Sequence, residues 1–288
     1  MKVNKHIILI PVYNDWNSLN RLLREIDLNL KQLKGFRNEV LIINDSSTKK
    51  IRVKKKKFYF IKKIFLLDLE NNRGSQKAIA IGLSFLKKSE KNFIATVMDG
   101  DGEDQPKEII KMVLLAKKFR NFVITSNRKK RKESIFIRLF YHIHLILTFF
   151  FTFKWISFGN FTSFHSKNIK NILFKNQSCL AHSASVMRNC KIKRLYAKRG
   201  KRYFDNSNLN FIDLIEHSLR INAVFLKRIF FISTVYSFTI FFLIDIFFIK
   251  FLLLLSLLIF NFFIIFMNKK HQVKYFYKLD KTKNIKLF

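Results

Sequence analysis

The stretch "IATVMDGDGEDQP", Ile94 to Pro106, decides how the chain is read. A short apolar run, rich in β-branched residues, ends abruptly in Asp99, Asp101, Glu103 and Asp104, and Pro106 then suits the first turn of a helix. That is the pattern of a buried strand delivering carboxylates to a loop. It stands out because the chain carries 55 Lys+Arg against 19 Asp+Glu, a formal net charge of +36.

Three further runs share the form: "HIILIPVYN" (His6 to Asn14), "EVLIINDSS" (Glu39 to Ser47) and "NFVITSNR" (Asn121 to Arg128). Between them, "SLNRLLREIDLNLKQL", "SQKAIAIGLSFLKK" and "PKEIIKMVLLAKKF" repeat apolar residues at helical spacing, with Leu19, Leu22, Leu23, Ile26 and Leu30 on one face. Strand alternating with helix predicts an α/β fold with an open, mostly parallel sheet. Ligands of such sheets sit outside the carboxyl ends of the strands. The polar clusters Tyr13-Asn14-Asp15, Asn44 to Ser47, Asp99 to Asp104 and Ser126-Asn127-Arg128 all fall at those ends, so they are expected to converge on one crevice.

The C-terminal third is different. "IFFISTVYSFTIFFLIDIFFI" (Ile229 to Ile249) holds one charge, Asp245, and "FLLLLSLLIFNFFIIFM" (Phe251 to Met267) holds none. Each approaches the about 20 residues a helix needs to cross a bilayer, and both are apolar all round. Lys227 and Arg228 before the pair, and Lys269, Lys270, Lys274 and Lys278 after it, predict a transmembrane hairpin with both ends cytoplasmic and its tip near Asp245 to Lys250. "FIRLFYHIHLILTFFFTFKWISF" (Phe136 to Phe158) is aromatic but broken by charges and reads as an amphipathic interfacial helix, with a third span as the competing assignment. "HIILIPVYN" is too short for a signal-peptide core, which predicts a cytosolic N-terminal region and a multi-pass protein of the cytoplasmic (inner) membrane. The expected organisation is a core at 1–134, an interface region at 135–225, two spans at 226–268 and a basic tail at 269–288.

The positive charge would by itself raise nucleic acid as a partner. It is spread along the whole chain, together with 35 Phe, and reads as compositional bias; no nucleic acid is expected. Cys179 and Cys190 are isolated, without spacing for a zinc site or a disulfide framework. His142 and His144 lie two apart and do not share a helix face. Paired carboxylates at a strand end, by contrast, suit Mg²⁺ or Mn²⁺, which take oxygen ligands and leave positions for a substrate's phosphates.

These residues carry a family resemblance. "IPVYND", "IINDSST", "NNRGSQKAIAIGL", "VMDGDGEDQP", "SNRKKRKES" and "RYFDNSNLNF" occur in the order found in family 2 glycosyltransferases of the GT-A fold. The resemblance is specifically to polyprenyl-phosphate glycosyltransferases similar to dolichyl-phosphate mannose synthase. It implies a nucleoside diphosphate sugar donor, a polyprenyl phosphate acceptor in the membrane, and a metal on the diphosphate. It further implies that Pro11, Tyr13, Asp15 and Asp45 line the nucleotide site, with Asp99 near the sugar nucleotide. Asp101 and Glu103 would hold Mg²⁺ or Mn²⁺, and Arg128, Arg131, Arg202 and Ser207 would meet the acceptor. Asn44, Asn127, Asp205 and Asn208 depart from the family pattern, and Asp205 adds a carboxylate near an anionic acceptor. A hydroxyl acceptor would need a base, for which Asp104 or Glu103 is available; a basic membrane-binding protein with a decayed site is the alternative of another class. A homo-oligomer is compatible with all of these.

Overall fold

The structure, a computed structural model, describes residues 4–50, 53, 58–89, 91–128, 135–204, 211–271 and 282–287; for Arg128, 135–137 and 282–287 the description is of backbone alone. By contacts the chain divides into two compact units, one of 1–131, 158–207 and 273–288, the other of 132–157 and 208–272.

The first unit is a three-layer α/β structure. Its strands are β1 (Lys5–Val12), β2 (Arg37–Asn44), β3 (Ile61–Leu69), β4 (Ile94–Val97), β5 (Phe122–Arg128), β6 (Phe158–His165), β7 (Lys191–Ala197) and β8 (Thr282–Leu287). They form one sheet in the order β7-β5-β6-β4-β1-β2-β3-β8. Only β6 and β8 run against the rest, so the sheet is mostly parallel, as expected. The helices are α1 (Trp16–Asn29), α2 (Ser75–Ser89), α3 (Lys107–Lys118), α5 (Ile169–Ile172) and α6 (His182–Asn189), with α4 (Ile135–Thr152) belonging to the second unit.

Both faces of the central strands are covered, which explains their unbroken apolar runs. Ile8, Ile10 and Val12 of β1 join Leu19, Leu22, Leu23 and Ile26 of α1 and Ile109, Met112 and Val113 of α3 in one core. On the other face α2 comes so close that a Cβ on Gly82 would lie 2.6 Å from the Leu9 side chain. The sequence reading passed over β3, β6, β7 and β8, the last lying within the stretch 269–288 expected as a basic tail. In β3 the run is interrupted by Lys62 and Lys63, and β7 is an edge strand whose exposed Lys191, Lys193 and Arg194 erase the apolar signal while protecting the edge.

Two buried polar devices fix the sheet. Asp27 of α1 accepts hydrogen bonds from the backbone N–H groups of Tyr59 (2.9 Å), Phe60 (2.7 Å) and Ile61 (2.8 Å), and so sets the start of β3. His6 lies within the sheet, 3.1 Å from Asn38 Oδ1 and 2.9 Å from Thr96 Oγ1. Asn38 Nδ2 is committed to the Leu33 and Phe36 carbonyls, so its oxygen faces His6; Nδ1 of the imidazole therefore donates and Nε2 accepts from Thr96. The ring is neutral, and burial holds its pKa down at about 4.

The second unit is helical: α4, α7 (Phe211–Ala223), α8 (Leu226–Leu243) and α9 (Phe247–His271). The α8 and α9 helices are long and apolar enough to cross a membrane and expose most of their large apolar side chains, including Phe231, Phe242, Phe247 and Leu258. They pack against each other. The break between them is at 244–246, earlier than the expected tip, because the helical run continues through Lys250, whose ammonium lies 5.1 Å from the centre of the Phe241 ring. The α4 helix ends at Thr152, short of the expected Phe158, where β6 begins.

Asp27→Ala removes the shared acceptor of three N–H groups, that of Ile61 buried, and is expected to cost about 1–3 kcal/mol, seen as a lower melting temperature of the detergent-solubilised protein. His6 and His182 both have folded pKa values pushed down to about 4 from 6.5. The unfolded chain takes up protons between those values that the folded protein refuses, so stability is lost as pH falls from 6.5 towards 4. Melting curves across that window should show the slope, and His6→Gln should flatten it.

Candidate active site

The crevice lies at the carboxyl ends of β1, β2 and β4 in the first unit, and side-chain hydrogen bonds order its loops. After β1, Asn14 sits at φ 58°, a region Asn tolerates better than most residues. Its N–H donates to Ser47 Oγ (2.9 Å) and its Oδ1 accepts from Lys49 N–H (2.9 Å), tying the β1 loop to the β2 loop. Asp15 then caps α1, accepting from Ser18 N–H at 3.3 Å. After β2, buried Asp45 accepts from the N–H groups of Arg73 (2.7 Å) and Gly74 (2.8 Å), which holds the loop leading into α2. Burial raises the Asp45 pKa, opposed by those two N–H groups and by Arg73 and Lys77. Pro11 is buried at the end of β1 and Tyr13 is exposed beside it.

The loop after β4 turns at Gly102, whose φ of +90° suits glycine. Asp104 Oδ2 accepts from Asp99 N–H (3.0 Å) and Asp101 Oδ1 accepts from Glu103 N–H (3.0 Å), so two of the four acids shape their own loop. Asp99 Oδ1 accepts from Asn160 Nδ2 of β6 at 2.9 Å.

A second segment, Arg199 to Tyr203, lies across this loop as a strap. Gly200 N–H donates to the Glu103 carbonyl (2.8 Å) and Tyr203 N–H to the Asp101 carbonyl (3.0 Å). A Cβ on Gly102 would meet the Tyr203 ring at 2.3 Å, and one on Gly200 would meet the Gly102 carbonyl oxygen at 2.6 Å. The Tyr203 hydroxyl donates to Glu25 Oε2 of α1 (2.5 Å), and the Arg21 guanidinium stacks 4.4 Å from the centre of its ring. Arg199 pairs with Glu103. Arg202 lies between Asp15 (3.9 Å) and Asp101 (3.7 Å), close enough for charge attraction and too far for hydrogen bonds. Burial raises the Asp101 pKa and Asp15 adds to it, while Arg202 and Arg199 oppose the rise. Burial also lowers the Arg199 pKa, against the carboxylates of Asp101 and Asp99.

The structure thus gathers Asp15, Asp99, Asp101 and Glu103, places Arg202 among them, and gives Asp45 to loop anchoring. Arg128 ends β5, and its side chain lies outside the description; Arg131 and Ser207 lie outside the described residues. Sequence reasoning missed Arg199, Tyr203, Gln76 and Asn160. Arg199 stands three residues before the "RYFDNSNLNF" motif, Tyr203 is its second residue, and Gln76 is inside another. Asn160 carries no signal in the sequence.

The donor set fits a hard divalent cation. Asp101 Oδ2 is approached by Arg202 at 3.7 Å, and Asp15 faces the same guanidinium at 3.9 Å. Among the described residues no three His, Cys, Asp or Glu side chains form a cluster that would hold a metal unaided. Few protein oxygens with substrate oxygens completing the shell is the usual arrangement for Mg²⁺ at phosphates.

A mostly parallel α/β sheet with polar loops gathered at its strand ends places this unit in the class of open α/β domains whose site lies at the carboxyl ends of the strands. Comparison with known proteins is specific: residues 7–190 match the family model Glycosyl transferase family 2, and the chain belongs to that family. It is 26% identical over 133 residues to dodecaprenyl-phosphate galacturonate synthase of Rhizobium johnstonii, covering 46% of this chain and 38% of that protein. It is 28% identical over 137 residues to undecaprenyl-phosphate 4-deoxy-4-formamido-L-arabinose transferase of Proteus mirabilis, covering 47% and 40%. The chain therefore spans about two-fifths of the length of the curated relatives it matches. Among solved structures, glucosyl-3-phosphoglycerate synthase of Mycobacterium tuberculosis with Mn²⁺, UDP-glucose and phosphoglyceric acid superposes with a TM-score of 0.55 at 12% identity, covering 78% of this chain and 80% of that one. That likeness shows the fold, in agreement with the expected GT-A class.

Gly102→Ala must abandon the positive φ, at roughly 1–2 kcal/mol, and displaces the Tyr203 ring. The strap should lift, and trypsin should then cut after Arg199, Lys201 and Arg202 faster than in the wild type. Equal cleavage rates, mapped by mass spectrometry, would contradict the packing of strap on loop.

Proposed function

We propose that the protein is a membrane-anchored, metal-dependent inverting glycosyltransferase that moves a sugar from a nucleoside diphosphate sugar to a polyprenyl phosphate. The observation that carries this reading is the convergence of Asp15, Asp99 and Asp101 at the strand ends beneath Arg199 and Arg202. Family membership and relatives named for polyprenyl-phosphate transfer support it.

In this reading Pro11, Tyr13, Asp15 and Asp45 border the nucleotide and Asp99 stands near the sugar. Asp101, with Glu103 once released from Arg199, holds Mg²⁺ or Mn²⁺, which when bound neutralises charge on the leaving diphosphate. Arg199 and Arg202 can turn from the carboxylates to the diphosphate, since charge-assisted pairing to phosphate suits guanidinium. A lipid phosphate oxygen then attacks the anomeric carbon, and the bond to the nucleoside diphosphate breaks with its electron pair leaving on that group. Arg128 and Arg131, with Ser207, are assigned to the acceptor phosphate.

An acceptor already ionised at neutral pH needs no strong base. That agrees with the site, because Glu103 is ion-paired and Asp104 is hydrogen-bonded within its own loop, so neither is poised to deprotonate a hydroxyl. The α8 and α9 helices serve as the membrane hairpin, with α4 in the interface and the sheet unit on the cytoplasmic side of the inner membrane.

Membranes containing the protein should transfer radiolabel from one of a panel of UDP- and GDP-sugars into a mild-acid-labile, organic-extractable lipid, and EDTA should stop it. Asp101→Asn should reduce transfer at least about 100-fold while leaving membrane insertion intact. Equal turnover by the variant would remove the metal assignment, and absence of label from every donor would remove the transferase reading.

A further inference from the structure

We propose that Gln76 and Asn160 are positioning residues that orient Asp99 through a one-directional hydrogen-bond relay starting at the first turn of α6. This rests on the reading above, in which Asp99 stands at the donor sugar nucleotide.

The relay begins with a group that can only donate. His182 opens α6, its N-cap residue Ala181 has no side chain to cap it, and the His182 backbone N–H goes instead to Gln76 Oε1 at 2.6 Å. With its oxygen so engaged, Gln76 turns its amide nitrogen outward and donates to Asn160 Oδ1 at 3.1 Å. Asn160 must in turn present its nitrogen to Asp99, and does so at 2.9 Å. Each amide has one acceptor end and one donor end, so a backbone N–H on α6 fixes the polarity of every link up to the carboxylate. The assignment of oxygen and nitrogen in both amides follows from the helix start.

Asn160 is also held from its backbone. Thr162 Oγ1 donates to the Asn160 carbonyl at 3.2 Å, which spends its one hydrogen; it lies 2.8 Å from His182 Nε2, and so accepts from that nitrogen. His182 is buried and burial holds its pKa at about 4, so the ring is neutral, and the Thr162 contact assigns its proton to Nε2. One residue, His182, thus secures Asn160 twice, by its backbone through Gln76 and by its ring through Thr162. Gln76 is itself buried, while Asn160 and Asp99 are half-exposed at the crevice. The relay carries order from the packed interior of the first unit to its open site.

The polarity makes a test that separates positioning from packing. Gln76→Glu keeps the shape of the side chain and can still accept from His182, but it offers an acceptor where Asn160 needs a donor. Asn160 then turns its nitrogen inward and its oxygen towards Asp99, and two acceptors repel. Gln76→Met has similar bulk and leaves Asn160 unguided without reversing it. The expected order of kcat, measured in membranes with the donor the panel identifies, is wild type, then Gln76→Met, then Gln76→Glu, the last lower by about 100-fold. Inhibition by the free nucleoside diphosphate, which lacks the sugar, should change less than threefold in either variant. A purely space-filling role predicts the opposite order, since Glu matches Gln in shape better than Met does.

Asn160→Asp, at a half-exposed position, guards against misfolding of the buried variants; it should cost more kcat than Asn160→Ala at an unchanged melting temperature. Gln76→Glu or Asn160→Asp with wild-type kcat would overturn the relay while leaving the transferase reading intact. A wild type that transfers no sugar and binds no nucleoside diphosphate overturns the transferase reading, and the relay's role falls with it.

Discussion

The structure of the site depends on holding Asp15 and Asp101 around one guanidinium, that of Arg202. Asp15 and Asp101 come from different strand ends, and at Asp101 burial first, then the neighbouring Asp15, raises the pKa. In a chain of net charge +36 one would expect cations to be available everywhere, yet the ones that matter are specific. Arg202 sits between the pair and Arg199 covers Glu103, both supplied by a strap that a parallel sheet does not by itself provide. The closeness of that strap explains why Gly102 and Gly200 face each other's segments: a side chain on either would open the arginines away from the acids.

The rest of the crevice is organised without any appeal to a ligand. Asn14, Asp15, Asp45, Asp101 and Asp104 all spend an oxygen on a backbone N–H in the loops after β1, β2 and β4. Short polar side chains are suited to this, because they can bond to backbone within a few residues or across to a neighbouring loop. The loops are therefore preorganised by the protein, and the chemistry a ligand finds is already in place. Preorganised dipoles and charges cost no reorganisation when charge develops during reaction, which is the main electrostatic resource of an enzyme site.

This division also explains what was legible in the sequence. Strands buried on both faces announce themselves as apolar runs, and their polar ends mark the crevice, so β1, β2, β4 and β5 and the acids at their ends could be read directly. The β3, β6 and β7 strands could not, because Lys62 and Lys63, the mixed run of β6, and the charged edge of β7 break the pattern that burial would impose. Arg202 was visible as part of a motif, but its place between Asp15 and Asp101 was not, since contacts so distant along the chain leave no local periodicity. Asn160 is the extreme case. Nothing in "FGNFTSFH" distinguishes it, and its meaning comes only from the partners that three-dimensional proximity gives it.

The loop carrying Asp99 and Asp101 is gripped from two sides with unequal firmness. From the sheet side Asn160 and the loop's own carboxylates hold it with hydrogen bonds of 2.9 to 3.0 Å. From the strap side the backbone bonds from Gly200 and Tyr203 are equally short, whereas Arg202 stands 3.7 Å or more from its acids. Directed hydrogen bonds lose energy steeply with displacement, while a charge pair at that distance falls off only as the inverse of separation. Motion on ligand binding should therefore be concentrated in the Arg202 side chain, with the loop and the strap backbone staying in place. Under the proposed function, a guanidinium leaving Asp101 for a phosphate would exchange one anion for another, and the carboxylate it leaves would be available to hold a metal ion. The same arginine would then balance charge before and after the exchange, so that neither the acids nor the incoming anion would stand uncompensated.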